Sequence, residues 1–584
     1  MLNNSTIDAQ LFGVILMYGL TLLMAIPLGK YMARLFAGER TWMDGIAGPL
    51  ERLIFRISRI DPTREMDWKQ HLKAMLALNI VWFIWVLFCL LNQGWLPLNP
   101  DQNPSQTPDQ AFNTAISFLV NCNLQHYSGE TGVSYFTQTF ALQFLHFVSA
   151  STGIAAAIVV FNSMKPGIHR TLGNFYNYFV KSMTRVLVPL AIVVALIHLF
   201  LGQPMTFHGK EQFITLQGDT QYVSTGPVAS MIPIKHLGTN GGGFFGANSA
   251  HPLENPNYLT DFVQIISQVI IPLGMIFALG FYLKRRRLSW MIYGVMTLGF
   301  LMLLIPTLSS EIAGNPLIAK MGIAPGGNME GKEVRIGVPG SAYWSIATTV
   351  ISTGSVNAMH DSFMPLSGMN MMLGMMVNCF YGGCGVGFLN FYVFIILAVF
   401  ISGLMVGRTP EFMGKKVEAK EMKIAMIVAL LHPFLILAGT AIASYLAAHD
   451  TSMGWWALDA SGKSLHASGL LDNPSYHGFS EMLYEFTSSA ANNGSGFEGL
   501  GDNNPFWNIT TGIVLLLSRY LPIIGPVAIA GILAQKKYIP ESAGTLQTDT
   551  ATFGFVVFAV IAIVAALSFF PALALGPIAE WLSI

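Results

Sequence analysis

The chain has 584 residues, of which 53% are hydrophobic and 11% charged, far below the roughly 25% charged residues of an average soluble domain. A soluble chain of this length needs several polar-coated domains, and too few charges are present to coat them, so the composition belongs in a bilayer. The 31 basic and 31 acidic residues cancel, giving no sign of a nucleic-acid partner, and Cys89, Cys122, Cys379 and Cys384 lack the Cys-x-x-Cys spacing of a zinc site.

A hydrocarbon core of about 30 Å takes roughly 20 mostly apolar residues in a helix. Ten stretches qualify in chain order: 11–32, 72–91, 138–161, 183–201, 262–283, 290–308, 387–407, 424–447, 507–534 and 552–579. The first lacks a basic n-region and a small-residue cleavage site, so it reads as a retained helix and not a signal peptide. Basic residues then orient the spans. Arg34, Arg40, Arg52, Arg56, Arg59, Arg64, Lys69 and Lys73 follow the first, and Lys165, Arg170 and Lys181 follow the third. Lys284, Arg285, Arg286 and Arg287 follow the fifth; Arg408, Lys415, Lys416, Lys420 and Lys423 the seventh; Lys536 and Lys537 the ninth. The intervening, longer loops carry only Lys210, Lys235, Lys320, Lys332, Arg335 and Lys463. Basic loops stay inside, so both termini are expected to face outward. The Arg34–Lys73 loop could meet anionic lipid or a partner subunit, although plain positive-inside topology also accounts for it. Gly94–Asp109, rich in Pro, Asn and Gln, reads as an outer loop.

Four outer loops repeat one pattern: a short apolar segment, then a small polar cluster. Residues 111–120 lead into Asn121-Cys122-Asn123-Leu124-Gln125, and 228–236 into Gly238-Thr239-Asn240-Gly241-Gly242-Gly243. Residues 343–350 lead into Ser352-Thr353-Gly354-Ser355-Val356-Asn357, and 481–486 into Ser489-Ala490-Ala491-Asn492-Asn493-Gly494-Ser495. The spacings are 117, 114 and 139 residues, measured between Asn123, Asn240, Gly354 and Asn493. Such regularity is an internal repeat. The expected architecture is all-α and polytopic, with four units of helix, re-entrant loop and helix, plus one extra helix at each end. The boundaries fall at 1–71, 72–182, 183–288, 289–423, 424–541 and 542–584.

A segment of about ten residues is too short to cross a bilayer, so it dips in and returns. Non-helical backbone at that depth must be buried in protein or line a wet cavity. Four such loops around an axis offer rings of backbone carbonyls, the arrangement that replaces the hydration shell of an alkali cation. Glycine supplies left-handed backbone angles, and Asn and Thr tolerate or stabilise them. Each preceding short helix aims its negative C-terminal dipole at a cation. No carboxylate lies in the clusters, so a neutral filter for a monovalent ion fits better than a calcium site. A single Asn/Gly cluster is usually just a turn; four at similar spacing on one side favour a pore.

At these residues a family resemblance emerges. Leu237 to Pro252 (LGTNGGGFFGANSAHP) resembles the KdpA family, the potassium-transporting ATPase A chains, as do Gln125 to Glu130, Val356 to Phe363, Gly403 to Glu411 and Ala491 to Ser495. The resemblance covers essentially the whole chain. It implies a K⁺-transporter superfamily fold in a four-subunit complex of the bacterial inner membrane. There a P-type ATPase subunit hydrolyses ATP, two small single-span subunits stabilise the assembly, and K⁺ is the transported ion with no organic cofactor. The family's filter positions fall on Asn121, Cys122, Asn123 and Gln125; Thr239, Asn240 and Gly241; Ser352, Thr353 and Gly354; and Asn492, Asn493 and Gly494. Two departures stand out. The family's first filter commonly reads Thr-Asn-Trp-Gln where this chain has Cys122-Asn123-Leu124-Gln125, and an acidic residue expected within 373–383 is absent.

Arg519 lies in the ninth span, where a helix-centre arginine costs roughly 2.5–3.5 kcal/mol. A gating or coupling role beneath the filter is expected; a buried salt bridge or a snorkelling position is the alternative. Gly241-x-Gly243-x-x-Gly246 matches a dinucleotide fingerprint, but the strand-turn-helix context is missing. No P-loop or Asp-Lys-Thr-Gly motif occurs, so the chain is not expected to hydrolyse ATP by itself. His360-Asp361 lacks a nucleophile elbow and reads as a polar cap behind the third filter. The competing functions are a stand-alone K⁺ channel or symporter of the same superfamily and an intramembrane enzyme. The latter would need an acid, base and nucleophile clustered in the spans, and no such cluster is evident.

Overall fold

Among the described residues ten helices are long and apolar enough to cross a membrane: Ile7–Phe36, Trp68–Asn92, Tyr135–Ser163, Phe175–Phe200, Tyr258–Tyr282, Arg286–Lys320, Val386–Met405, Ala419–Ala448, Pro505–Ala534 and Ala551–Ser583. The computed structural model describes residues 4–584 apart from 324–325, 408, 460 and 541–546; Arg408 and the expected boundary at 541/542 lie outside the described residues. The spans match the ten apolar stretches of the sequence, with the fourth starting earlier at Phe175 and passing through a π-helical turn at Met183–Leu187.

Burial sorts the spans into an inner and an outer set. The third has 89% of its most apolar stretch buried, whereas the first has 22% and the eighth 28%. A helix apolar on all sides needs a protein or lipid neighbour all round, and the third finds protein on most of its surface. The first span packs mainly on the fifth. A Cβ on Gly29 would lie 2.6 Å from the Gly274 carbonyl oxygen and 2.9 Å from the Ala278 nitrogen, the close backbone approach that small residues permit between membrane helices.

Of the shorter helices between spans among the described residues, four run into the polar clusters: Pro108–Leu119, Val228–Leu237, Val338–Ile351 and Ser475–Ala491. Three of these start earlier than the sequence pattern indicated, while the second starts at Val228 as expected. Every one begins beside a proline: Pro108 and Pro339 in the first turn, Pro227 and Pro474 as the preceding cap residue. Proline suits a helix start because its missing N–H is not needed there.

Three features differ from the expected plan. The fold carries two small antiparallel hairpins, Glu211–Ile214 with Thr220–Val223 and Glu411–Phe412 with Lys415–Lys416. The basic loop after the first span contains a helix, Asp44–Ser58, docked through buried Glu51 onto Arg185 at 2.6 Å. The segment before the seventh span is a separate helix, Pro365–Val377. Residues 378–385 between these two helices hold Gly382, Gly383 and Gly385, with φ of 64° at Gly382 and 80° at Gly385. That chain cannot continue a helix.

Candidate functional site

Each pore helix ends where the chain turns left-handed. Asn121, Thr239, Ser352 and Asn492 occupy equivalent places just past the four helices, with φ of 66°, 52°, 58° and 52°. Two residues further on, Asn123, Gly354 and Gly494 are left-handed again, at 62°, 85° and 106°, while Gly241 in the second loop is not. Alternating left- and right-handed residues turn successive carbonyls toward one side. A non-glycine residue pays roughly 1–2 kcal/mol for that conformation, so it needs side-chain anchors.

The anchors are present. Asn121 Nδ2 donates to the Thr239 carbonyl at 2.7 Å, and Ser149 Oγ donates to Asn121 Oδ1 at 2.8 Å. Ser352 Oγ bonds Asn378 Oδ1 at 2.7 Å. Asn492 Nδ2 donates to Ser518 Oγ at 3.0 Å, and Asn493 Nδ2 to the Thr348 carbonyl at 2.8 Å. Asn123 Nδ2 meets His146 Nε2, and Gln125 Oε1 accepts from the Gly243 N–H at 2.9 Å. Asn240 Nδ2 reaches the His146 carbonyl at 3.5 Å. Behind the second loop, Lys235 and Glu254 form a wholly buried ion pair. Glu254 Oε2 also accepts from the Phe244 N–H at 3.1 Å. Behind the third loop, Lys332 Nζ and Glu311 Oε2 pair at 2.9 Å, likewise buried.

The four clusters named from sequence converge on one place. A Cβ built on Gly241 would stand 2.7 Å from the Cys122 carbonyl oxygen, 2.9 Å from that of Asn493 and 3.0 Å from that of Thr353. Three oxygens from the three other loops thus surround a single point beside the second. Gly354 abuts the Asn493 carbonyl and Gly494 the Cys122 carbonyl, so neither position has room for a side chain. All thirteen loop residues singled out, from Asn121 to Gly494, lie in this assembly, although Gln125 sits at its rim and bonds the second loop from the side.

Residues 378–385 pass against the start of the loops, beside the end of the second short helix. The Cys384 N–H donates to Thr239 Oγ1 at 2.9 Å and Cys384 Sγ lies 3.3 Å from the Leu237 carbonyl. A Cβ on Gly383 would be 3.3 Å from Thr239 Oγ1 and 3.9 Å from Asn121 Nδ2. Arg519 stands beside this segment. It is 5% exposed and occupies the middle of Pro505–Ala534. Its Nη2 reaches the Ser149 carbonyl at 3.4 Å and lies 3.4 Å from the place a Cβ on Gly153 would take, where the Cys384 carbonyl also converges. Among the described residues no carboxylate pairs with it, so it is neither salt-bridged nor near a helix end where it could snorkel. The region where an acid was expected, 373–383, runs from the end of Pro365–Val377 into this segment.

The mouth of the site is rich in carboxylates. His126 Nδ1 meets Asn508 Oδ1 at 2.7 Å, and Nε2 meets Glu485 Oε1 at 3.2 Å and Asp502 Oδ2 at 3.8 Å. Burial alone would push the imidazole down, but Asp502 and Glu485 overcome it and raise it to about 9. Burial lifts Asp502 to about 6. His360 is buried and meets Tyr484 OH at 2.8 Å through Nδ1; that hydroxyl reaches Ser495 Oγ at 2.8 Å. The pair thus links the third post-filter loop to the fourth.

A ten-span fold with four re-entrant loops closing on one axis defines a membrane transport protein of the pore-loop class. The family described as potassium-transporting ATPase A subunit, KdpA, matches residues 15–582; the chain belongs to that family. It is 67% identical to a Flavobacterium johnsoniae protein over 99% of this chain and 100% of that one. The same measure gives 58% for a Bacteroides thetaiotaomicron protein, with 99% and 100% covered. For a Geobacillus kaustophilus protein it gives 46%, with 97% and 98% covered. All three are named potassium-transporting ATPase potassium-binding subunit. The crystal structure of the potassium transporter TrkH from Vibrio parahaemolyticus aligns with 88% of this chain and 97% of its own, at a TM-score of 0.47 and 14% identity.

Proposed function

We propose that this chain is the potassium-binding, channel-like subunit of an ATP-driven uptake complex. It selects K⁺ from outside in the four-loop filter and passes it toward a P-type ATPase subunit that hydrolyses the ATP. The observation that carries this reading is the convergence of the Cys122, Thr353 and Asn493 carbonyl oxygens beside Gly241, a neutral oxygen cage suited to a monovalent cation. The names of these relatives support the same ion and the same kind of complex. In this reading the complex sits in the bacterial inner membrane with both termini of this chain outward and two small single-span subunits alongside, and K⁺ is cargo with no organic cofactor. The repeats run 72–182, 183–288, 289–423 and 424–541, with the first and last spans outside them. Arg519 and the segment 378–385 form the barrier below the filter: a positive charge without a carboxylate repels K⁺ until the segment moves.

The test is cation-stimulated ATPase activity of the co-purified complex, titrated with K⁺, Rb⁺ and Na⁺ for the wild type and Gly241→Asp. A carboxylate at that point should weaken K⁺ affinity at least tenfold, or about 1.4 kcal/mol, and relax discrimination against Na⁺. Unchanged affinity and selectivity would remove Gly241 from the filter. Transport without any ATPase partner would favour the stand-alone channel instead.

A further inference from the structure

Outside the filter, Asp361, His477 and Glu481 bring their ligand atoms within 4.8 Å of one another. They come from different parts of the chain: the loop after the third filter, and the first two turns of the fourth pore helix. His477 Nε2 faces Asp361 Oδ1 at 2.9 Å, and Nδ1 faces Glu580 Oε1 near the C-terminus at 2.8 Å. Glu481 is fully buried. Its Oε1 accepts from Asn473 Nδ2 at 3.0 Å, but its Oε2 has no partner among the described residues. A buried carboxylate oxygen without a donor is costly.

Charge is also unbalanced here. Glu498 adds a fourth carboxylate, accepting from the Asp361 N–H at 3.1 Å. Among the described residues no Lys or Arg pairs with any of the four; the imidazole is the only cation available. Gly499 keeps the space open: a Cβ there would sit 2.7 Å from Glu481 Oε1 and 3.1 Å from Asp361 Oδ2. The comparable group of His126, Glu485 and Asp502 also has both ring nitrogens engaged, but no buried carboxylate oxygen there is stranded.

We propose that Asp361, His477 and Glu481 form a binding site for a divalent transition-metal ion, of the Zn²⁺ or Mn²⁺ kind. One imidazole and two carboxylates are a mixed nitrogen and oxygen donor set that suits these ions better than Ca²⁺ or Mg²⁺, which favour oxygen alone. Glu580 completes the arrangement. A metal-binding histidine commonly donates its other ring N–H to a carboxylate, which fixes the tautomer, and Nδ1 does so here, leaving Nε2 for the metal. Binding releases any Nε2 proton to solvent, and the ion satisfies Glu481 Oε2. The metal ties the third post-filter loop to the fourth pore helix and, through Glu580, to the end of the last span. It is a brace and takes no part in conduction.

The experiment uses the purified complex, stripped with a chelator, desalted and exposed to one equivalent of Zn²⁺, Mn²⁺ or Ca²⁺. Bound metal is counted by elemental analysis, and thermal unfolding is followed in parallel. The expected result is one Zn²⁺ or Mn²⁺ per chain, little Ca²⁺, and a higher unfolding temperature with the metal. His477→Gln and Glu481→Gln should abolish stoichiometric uptake. Glu580→Gln, near the end of the chain, should weaken it roughly 10–100-fold and keeps the test informative if either of the others fails to fold. Equal uptake by wild type and all three variants would mark adventitious surface binding and overturn the proposal. Absence of uptake by the wild type would overturn it too, and would mean that Glu481 carries a proton.

Discussion

The side-chain amide of Asn121 donates to the backbone carbonyl of Thr239 at 2.7 Å, joining the same position of two neighbouring repeats. Each residue is left-handed, so one side chain restrains both its own loop and the next. The four-loop assembly is therefore held loop to loop, and its parts are not independent.

This coupling separates two substitutions. Asn121→Gly keeps the left-handed backbone but loses the hydrogen bond, for about 1 kcal/mol. Asn121→Ala adds conformational strain of roughly 1–2 kcal/mol. The K⁺ concentration for half-maximal ATPase stimulation should rise modestly for Gly and further for Ala. Wild-type values in both would mean that the contact does not shape the filter.

In the proposed function Arg519 carries the barrier. A unit charge about 8 Å from an ion, in an effective dielectric of about 20, raises the ion's energy by about 2 kcal/mol, a factor of roughly 30. Arg519→Gln in reconstituted vesicles should raise passive Rb⁺ leak by about that factor without ATP, while Arg519→Lys should stay tight. A tight Arg519→Gln variant would sink the gating role.

Lys235 and Glu254 are a buried pair, and removing one partner leaves a stranded charge. Lys235→Met should cost about 3–5 kcal/mol, seen as a lower temperature for half-loss of the monodisperse complex. The double variant Lys235→Met, Glu254→Gln should recover part of that loss. No recovery would show that Lys235 acts through packing and not through charge.

The His126 group gives a pH dependence. Facing it are Glu485 from the fourth pore helix, Asp502 from the loop before the ninth span, and Asn508, which itself bonds Asp109 from the first pore helix at 2.8 Å. The imidazole is raised to about 9 from an ordinary 6.5, so its stabilisation is complete below about 6.5 and lost as pH rises through about 9. Asp502, lifted to about 6, titrates below that window. The stability difference between wild type and His126→Gln should therefore shrink from pH 6.5 to 9.5, as measured by thermal unfolding. A difference that stays constant would mean His126 is neutral throughout.

The ten spans were legible because each needs a long apolar run, and the four clusters because left-handed turns select Asn, Ser, Thr and Gly. The proline opening every pore helix was also visible, at Pro108, Pro227, Pro339 and Pro474, but signals nothing until the helix it starts is known. Pro365–Val377 escaped because a thirteen-residue helix is too short for a spanning pattern, and the segment after it reads as an ordinary Gly-rich turn. The Lys235–Glu254 and Lys332–Glu311 pairs are contacts of tertiary structure, which no local pattern encodes. The same holds for the meeting of Asp361 with His477 across more than a hundred residues.

The packing of the first span on the fifth has a consequence for biosynthesis. Gly29 fits against Gly274 and Ala278, yet that surface is translated roughly 250 residues later, a delay of roughly 12–50 s at about 5–20 residues per second. During that interval the first helix has its principal neighbour missing. Its small-residue face is then open to lipid, to an insertion chaperone or to another newly made helix, and the order in which the membrane receives the chain becomes part of how the fold is reached.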